Sequence, residues 1–277
     1  MNKYLFKLLV VSMVFLANSY CSFGDETNEV NNLDEIFNKT LSLVKEAGEI
    51  LKNINDDKKV TIKQDGTFVT KYDLEIDKKL TDGLKKITDC SVLSEEHKEE
   101  QKNTYYIIDP IDGTHNFNSG SEIFGIIVAL VRDKKTLFSI IHLPILEKTY
   151  TAKKGKGAYL NGEKINVKKS STDYLFGSMF LSKNSLNTVE DILNSGEKID
   201  LRCMGCAAYE FGQVASGVFD FFFFKNAGNV WDFIGPKLVI EEAGGILKYK
   251  KYGDVYNVIG GTKEAVEKLE KITKIIE

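Results

Sequence analysis

The chain has 277 residues, of which 43% are hydrophobic and 28% charged, and its net charge is −3. This composition is that of an ordinary globular protein and excludes an intrinsically disordered chain. No basic stripe interrupts the mixed charges, which excludes a surface for long nucleic acids or an anionic membrane. A chain of this length can bury one large core or two closely packed halves.

The first 31 residues differ from the rest of the chain. Two lysines in MNKYLFK precede the apolar run LLVVSMVFLA, and a polar segment follows. This order is typical of a secretory signal, and the apolar run is too short for a transmembrane helix, which needs about 20 residues. We expect an exported protein with a signal and polar linker at 1–31 and one domain of two packed halves, about 32–170 and 171–277. A cytoplasmic or membrane-anchored protein is the alternative.

The first half contains two helical patterns followed by strands. Apolar periodicity predicts a helix over 32–55, a hairpin of short strands around Asp65 and Gly66, and a helix over about 73–88. The short apolar runs SVLS and YYII predict two further strands. From Phe124 to Val167, apolar runs alternate with turn residues, which predicts an antiparallel meander.

The second half alternates strand and helix patterns. The segments LFGSMFL, KIDLRCMG and VFDFFFF predict strands, and helical patterns lie between and after them. Four consecutive phenylalanines, 221–224, are typical of a strand that is buried on both faces. The chain is therefore predicted to be a layered α/β protein with a largely antiparallel first half.

Carboxylates follow the ends of two predicted strands. Glu95 and Glu96 follow SVLS, and Asp109 and Asp112 follow YYII. Because Pro110 cannot donate to a sheet ladder, we expect the chain to turn there and the two aspartates to converge. Converging carboxylates need a proton or a cation to neutralise them, and Mg²⁺ prefers oxygen ligands.

Two more acids and a glycine lie at predicted junctions between strands and helices. Asp73 and Asp232 occupy such junctions and extend the acidic set, although each alone is also typical of a helix cap or surface group. Gly113 and Thr114 place backbone N–H groups where a helix could begin, which suits a phosphate oxygen. Together these residues predict a site with several Mg²⁺ ions for phosphoryl displacement.

Cys203 and Cys206 form a C-x-x-C pair. A zinc ribbon requires a second such pair, which this sequence lacks. Structural packing is the favoured interpretation, and a disulfide is the alternative in an exported protein.

The segments VTKYD, LSEE, DPIDGTHNF and WDFIGPKLVIEEAGG together resemble the inositol monophosphatase family over residues 33–270. The family comprises Mg²⁺-dependent, lithium-sensitive phosphomonoesterases. Its relatives include 3′(2′),5′-bisphosphate nucleotidases and some fructose-1,6-bisphosphatases. The resemblance implies an α-β-α-β-α sandwich, two or three Mg²⁺ ions, a small phosphorylated metabolite as substrate and a homodimer.

The resemblance also implies a role for each matching residue. It assigns metal binding to the side chains of Glu95, Asp109, Asp112 and Asp232 and to the backbone carbonyl of Ile111. Thr114 and Asp73 would orient the attacking water, and the N–H groups of Gly113 and Thr114 would hold the phosphate. Gly205 and Ala207 match positions on the substrate side, and Glu96 would lie outside the shell of metal ligands. The resemblance further implies that water attacks the phosphate directly, without a histidine or cysteine nucleophile.

The substrate is less well specified by the resemblance. Inositol-specific members carry a glutamate where this sequence has Phe224 and Lys225. Lys225 either meets the second phosphate of a bisphosphate nucleotide or points into solvent. The segment DGTHNF is closer to the inositol branch. We therefore expect inositol monophosphate as the substrate, and a bisphosphate nucleotide is the alternative substrate. A non-catalytic exported binding protein of the same fold is the alternative to an enzyme.

Overall fold

The computed structural model describes residues 26–54, 60–62, 68–97, 99–169 and 173–276, with side chains from residue 32 except at residue 184. The predicted signal and the predicted turn at Asp65 and Gly66 lie outside these ranges. Helix α1 spans Glu26–Lys52, so it begins earlier and ends earlier than the predicted 32–55. Within the described ranges, no helix is long and apolar enough to span a membrane.

The first sheet has seven strands in sequence order. In the chain, this sheet is preceded by a hairpin of β1 (Val60–Ile62) and β2 (Phe68–Thr70) and by helix α2 (Lys71–Ile87). The strands of the sheet are β3 (Ser91–Ser94), β4 (Thr104–Asp112), β5 (Gly125–Arg132), β6 (Lys135–Leu143), β7 (Lys148–Lys153), β8 (Ala158–Leu160) and β9 (Glu163–Ile165). Among the described strands of this sheet, β3 and β4 pair in parallel and all other neighbours pair antiparallel, so the predicted antiparallel meander is confirmed.

The second sheet has five strands in the order β11-β10-β12-β14-β13. Its strands are β10 (Leu175–Phe180), β11 (Ile199–Arg202), β12 (Phe221–Ala227), β13 (Ile246–Tyr252) and β14 (Val255–Gly261). The helices of the chain after β4 are α3 (Thr114–Asn118), α4 (Leu186–Asn194), α5 (Ala207–Ala215), α6 (Val230–Glu242) and α7 (Lys263–Thr273). Strand β10 lies between β11 and β12 and pairs in parallel with both, as expected where helices connect successive strands.

The two sheets and their helices form five layers. Helices α1 and α2 cover the outer face of the first sheet, where Ile126, Val128 and Leu130 of β5 join their apolar cluster. Helices α5 and α6 fill the space between the sheets, and Ile127 on the opposite face of β5 packs there. Helix α7 packs with Ile192 of α4 on the outer face of the second sheet. The predicted α-β-α-β-α arrangement is confirmed.

The phenylalanine run explains how the second sheet is held between two helical layers. Alternate side chains of a strand point to opposite faces. Phe222 and Phe224 join the cluster around α5 and α6, whereas Phe221 and Phe223 join the cluster around α7. All four are no more than 4% exposed, so the strand is buried on both faces as predicted.

Strand β4 differs from the prediction at Pro110. The strand does not end after Ile108 but continues to Asp112. Its register with β5 shifts between two pairs, Asp109 with Ile127 and Asp112 with Gly125. Three steps on β4 therefore face two on β5, which is a bulge of one extra residue. The bulge cancels the usual alternation, so residues three apart can point to the same side without a turn.

His142 of β6 is a buried histidine under helix α1. A side chain on Gly48 would place its Cβ 2.5 Å from the His142 Nε2, so the helix can approach only at glycine. The His142 Nδ1 lies 3.0 Å from the Thr149 hydroxyl, and Nε2 has no hydrogen-bond partner in the described part of the chain. Burial, with a smaller contribution from Lys52, lowers the pKa of His142 from 6.5 to about 4.

This lowered pKa predicts a loss of stability in mild acid. As the pH falls below 6.5, His142 is protonated in the unfolded chain but stays neutral in the folded protein. Its contribution to the free energy of unfolding is therefore fully present above pH 6.5 and is lost as the pH falls toward 4. At 1.36 kcal/mol per pKa unit, the contribution of His142 to the free energy of unfolding is on the order of 3 kcal/mol. Urea unfolding at several pH values should show a shallower decline for His142→Gln than for the wild type. Parallel declines for the two proteins would contradict the assignment.

Candidate metal centre

Three aspartates converge between the first sheet and helix α6. One carboxylate oxygen from each of Asp109, Asp112 and Asp232 lies within 4.8 Å of the other two. The bulge of β4 supplies the first two side chains. Asp232 lies in the first turn of α6, where the backbone N–H of Asn229 donates to its Oδ2 over 2.5 Å. Asp232 is thus part of a helix cap and also a member of the acidic cluster.

These carboxylates repel one another in a buried environment. Burial, followed by the charges of Glu95, Asp112 and Asp232, raises the pKa of Asp109 well above its usual value. Burial and the charge of Asp112 do the same to Asp232. The Asp109 Oδ1 is buried and has no hydrogen-bond partner among the described residues. A divalent cation with oxygen ligands would satisfy this oxygen and remove the repulsion, so the donor set fits Mg²⁺.

Asp112 is fixed by two donors from the start of helix α5. The backbone N–H of Ala208 donates to its Oδ2 over 2.5 Å, and the Cys206 thiol donates to the same oxygen over 3.0 Å. Burial, together with the charge of Asp112, raises the pKa of this thiol well above its usual value. Cys203 and Cys206 are both free. The thiol contact was not predicted, because sequence patterns give no sign of a pair 94 residues apart.

The two glutamates occupy the turn after β3. Glu95 is close enough to Asp109 and Asp232 to raise the pKa of both carboxyl groups. It does not belong to the group whose oxygens all lie within 4.8 Å of one another. The backbone N–H of Glu96 donates to the Ser94 hydroxyl over 3.2 Å. The structure thus brings Glu95 to the edge of the cluster.

Asp73 and Thr114 form the predicted pair beside this cluster. The Thr114 hydroxyl lies 3.2 Å from the Asp73 Oδ1 and 2.9 Å from the carbonyl oxygen of Ile111. The other oxygen of Asp73 accepts from the N–H and hydroxyl of Thr70, over 2.7 and 2.5 Å, in the capping box that begins α2. Burial raises the pKa of Asp73. The cap therefore holds this carboxylate facing Thr114.

Two glycines shape the surface next to the acids. Gly113 has φ +84°, and a Cβ there would lie 3.1 Å from the Cys206 Cβ and 3.2 Å from the Ile123 carbonyl oxygen. It precedes α3, whose first N–H groups have no acceptor within the helix. Gly205, with φ +71°, precedes Ala207 at the start of α5. The predicted phosphate and substrate positions therefore lie on segments that meet at Cys206.

Asn116 links these two segments and was missed by the sequence analysis. Its Nδ2 lies 2.9 Å from the carbonyl oxygen of Ile123 and 2.7 Å from that of Met204. Glu210 accepts from the Met204 N–H over 3.0 Å, and burial raises its pKa to about 8. Both contacts depend on tertiary packing, and only the position of Asn116 within DPIDGTHNF hinted at a role.

The model of the inositol monophosphatase family matches residues 32–276. Inositol monophosphatase 1 of Sus scrofa is 30% identical over 230 residues, which cover 77% of this chain and 83% of that protein. The 3′(2′),5′-bisphosphate nucleotidase CysQ of Aggregatibacter actinomycetemcomitans is 29% identical over 220 residues, or 75% of this chain and 81% of that protein.

A solved structure supports the same assignment. The inositol monophosphatase of Thermotoga maritima superposes with a TM-score of 0.77 at 26% identity, over 87% of this chain and 97% of that one. The family match covers both sheets and the converging aspartates. The chain therefore belongs to the inositol monophosphatase family, whose members are phosphatases that hydrolyse phosphomonoesters.

Proposed function

We propose that this protein is a Mg²⁺-dependent phosphatase whose preferred substrate is inositol monophosphate, with a 3′(2′),5′-bisphosphate nucleotide as the alternative. The observation that carries the proposal is the cluster of Asp109, Asp112 and Asp232, whose oxygens lie within 4.8 Å of one another. Two or three bound Mg²⁺ ions would polarise the phosphate and activate a water molecule. Glu95 and the carbonyl group of Ile111 complete the proposed ligand set.

The chain's own residues would orient the reactants around these ions. When the Thr114 hydroxyl donates to Asp73, its lone pairs are left to accept a hydrogen bond from water. Because burial raises the pKa of Asp73, its carboxylate is a better proton acceptor than an exposed aspartate. The N–H groups of Gly113 and Thr114 would hold the phosphate, and Gly205 and Ala207 would contact the rest of the substrate.

A non-catalytic binding protein of the same fold is the second candidate. It would need neither the costly burial of like charges nor the contact between Thr114 and Asp73. Buried carboxylates that no cation neutralises destabilise a folded protein. The retained cluster therefore favours an enzyme.

The substrate proposal is tested by a phosphatase panel with Mg²⁺. Phosphate release from inositol 1-phosphate should exceed release from adenosine 3′,5′-bisphosphate and fructose 1,6-bisphosphate, as judged by kcat/KM. Millimolar lithium should inhibit, since lithium sensitivity is a property of the family. A higher kcat/KM for the nucleotide would contradict the preferred substrate, and no release from any of the three would contradict the proposed activity.

The control for this panel is Asp109→Asn, which removes a ligand charge and nearly preserves the shape of the side chain. Turnover should fall at least about 100-fold, because the lost charge no longer holds the cation. Asp112→Asn should behave in the same way. Asp89→Asn, at a highly exposed position, should keep wild-type turnover. Near-wild-type turnover of Asp109→Asn at saturating Mg²⁺ would contradict the metal site.

Lys225 is the residue where this chain departs from inositol-specific members. It is half-buried, and its Nζ lies 3.0 Å from the Thr188 hydroxyl, so it does not simply point into solvent. The preceding residue, Phe224, lies near the metal centre. A Cβ at Gly228 would be 2.7 Å from the Phe224 ring and 2.8 Å from the Asp232 Oδ2. An ammonium group has three donors, so the bond to Thr188 leaves two for a substrate phosphate.

The variant Lys225→Glu should therefore change substrate preference. A carboxylate can accept hydrogen bonds from inositol hydroxyls, whereas an ammonium group can only donate. The kcat/KM ratio of inositol 1-phosphate to adenosine 3′,5′-bisphosphate should rise about 10-fold or more. Lys198→Glu, at an exposed position, controls for the change in net charge. Equal changes on both substrates would place Lys225 outside the substrate pocket.

We propose export as the destination of this protein, on the basis of its first residues. The order of lysines, apolar run and polar segment favours a cleaved signal. The mature chain should then begin between about residues 18 and 25. N-terminal sequencing of the native protein measures this directly. An intact Met1 in the cytoplasmic fraction would contradict export.

We also propose a homodimer that uses the surface of α4 and the end of β10. Leu186 and Leu193 lie two turns apart on one face of α4 and are 60% and 74% exposed. Phe180 and Leu181 add 39% and 53% exposed side chains next to the helix. Light scattering should give about twice the 31.2 kDa of the chain, less any cleaved signal. Leu186→Asp should reduce this mass, and an unchanged dimer would exclude this surface.

A further inference from the structure

Asp77 is a buried acid that has no role in the site as described so far. It lies one turn after Asp73 on α2, so both carboxylates occupy the same helix face. Asp73 contacts Thr114, whereas Asp77, which is 8% exposed, contacts the turn that carries Glu95. One helix face therefore reaches both sides of the metal centre.

Asp77 contacts residues on both sides of Glu95 in the sequence. The Ser94 hydroxyl donates to its Oδ1, and the His97 Nδ1 lies 2.8 Å from its Oδ2. The Ser94 N–H donates to the His97 carbonyl group over 2.9 Å, which closes the turn. The Ser94 hydroxyl also accepts from the Glu96 N–H over 3.2 Å. Each residue next to Glu95 is thus tied to Asp77 or to Ser94.

A second contact from α2 holds the chain beyond this turn. Glu99 pairs with Lys85 in the last turn of α2, and its Oε2 accepts from the Val92 N–H over 3.1 Å. The His97 Nε2 lies 3.9 Å from the Glu99 Oε1. The turn after β3 and Glu99 are therefore attached to α2 at two places, and the imidazole group of His97 lies between them.

The turn needs this attachment because charge repulsion acts on Glu95. Glu95 carries the same negative charge as the nearby Asp109 and Asp232, and like charges repel one another. Residues 95–97 are only half-buried, so a free turn could move Glu95 outward into water at little cost. Hydrogen bonds to a charged acceptor such as Asp77 are stronger than those between neutral groups.

We propose that Asp77 is a positioning residue that holds Glu95 at the metal centre and thereby raises the affinity for the divalent cation. The proposal rests on the proposed function, because it requires that the centre binds metal. Asp77 acts through Ser94 and His97 and contacts neither the cation nor the substrate. Loss of a group that orients a ligand commonly lowers metal affinity about 10- to 100-fold.

The test measures Mn²⁺ binding by electron paramagnetic resonance of the free ion, with no substrate present. Asp77→Ala should raise the Kd of at least one Mn²⁺ about 10-fold or more. It should also raise the Mg²⁺ concentration for half-maximal turnover, with kcat at saturating Mg²⁺ changing less. The matched control is Asp82→Ala on the same helix, where the carboxylate pairs with Lys78 in solvent. The control should bind Mn²⁺ like the wild type.

Combining the substitution of Asp77 with the variant Glu95→Gln shows whether Asp77 acts through Glu95. In Glu95→Gln, the additional change Asp77→Ala should have little further effect on the Mn²⁺ Kd. An undiminished effect in this background would overturn the proposal, because Asp77 would then act by another route. Ser94→Ala, which leaves α2 intact, should also weaken Mn²⁺ binding and serves if Asp77→Ala fails to fold.

Two results separate this inference from the proposed function. If the wild type binds Mn²⁺ and Asp77→Ala or Ser94→Ala binds it equally well, the positioning role is wrong and the phosphatase proposal stands. If the wild type itself binds no Mn²⁺, the proposed function fails and this inference fails with it.

Discussion

Repulsion among buried carboxylates is the constraint on which the rest of this structure depends. Asp109, Asp112 and Asp232 are forced together, and burial raises the pKa of each carboxyl group. Dedicated donors offset part of the cost for two of them, from Ala208 to Asp112 and from Asn229 to Asp232. One oxygen of Asp109 has no partner in the described chain. The folded protein therefore holds an arrangement that a cation would complete.

The five-layer architecture offsets part of the repulsion among these carboxylates. Both helices of the middle layer begin at the metal centre. Ala208 lies in the first turn of α5, and Asp232 lies in the first turn of α6. The partial positive charge at a helix N-terminus stabilises nearby carboxylates. The first sheet contributes the other two aspartates through its bulge. Sheet and helices thus bring opposite charges to the same place.

The sequence predicted the parts of the fold and site that depend on local patterns. Strand and helix periodicity predicted a layered α/β protein with a largely antiparallel first half, whereas the order of the five layers was implied by the family resemblance. The acids of DPIDGTHNF were recognisable because they follow an apolar strand. The bulge at Pro110 was mistaken for a turn, since proline is compatible with both, and only pairing with β5 distinguishes them. The bonds from Cys206 to Asp112 and from Asn116 to Met204 join distant segments, and no spacing rule predicts such contacts. Asp77 resembles any charged residue of an amphipathic helix until its partners are known.

Helix α2 links the two sides of the centre. Asp73 and Asp77 are four residues apart, which fixes them about 6 Å apart along the helix axis. Ile76, Leu80 and Leu84 of the same helix are fully buried against the first sheet, and the capping box at Thr70 fixes its start. The helix therefore cannot move one carboxylate without the other. The orientation of Thr114 and the placement of Glu95 are consequently set by the same packing, so a core substitution under α2 would disturb both together.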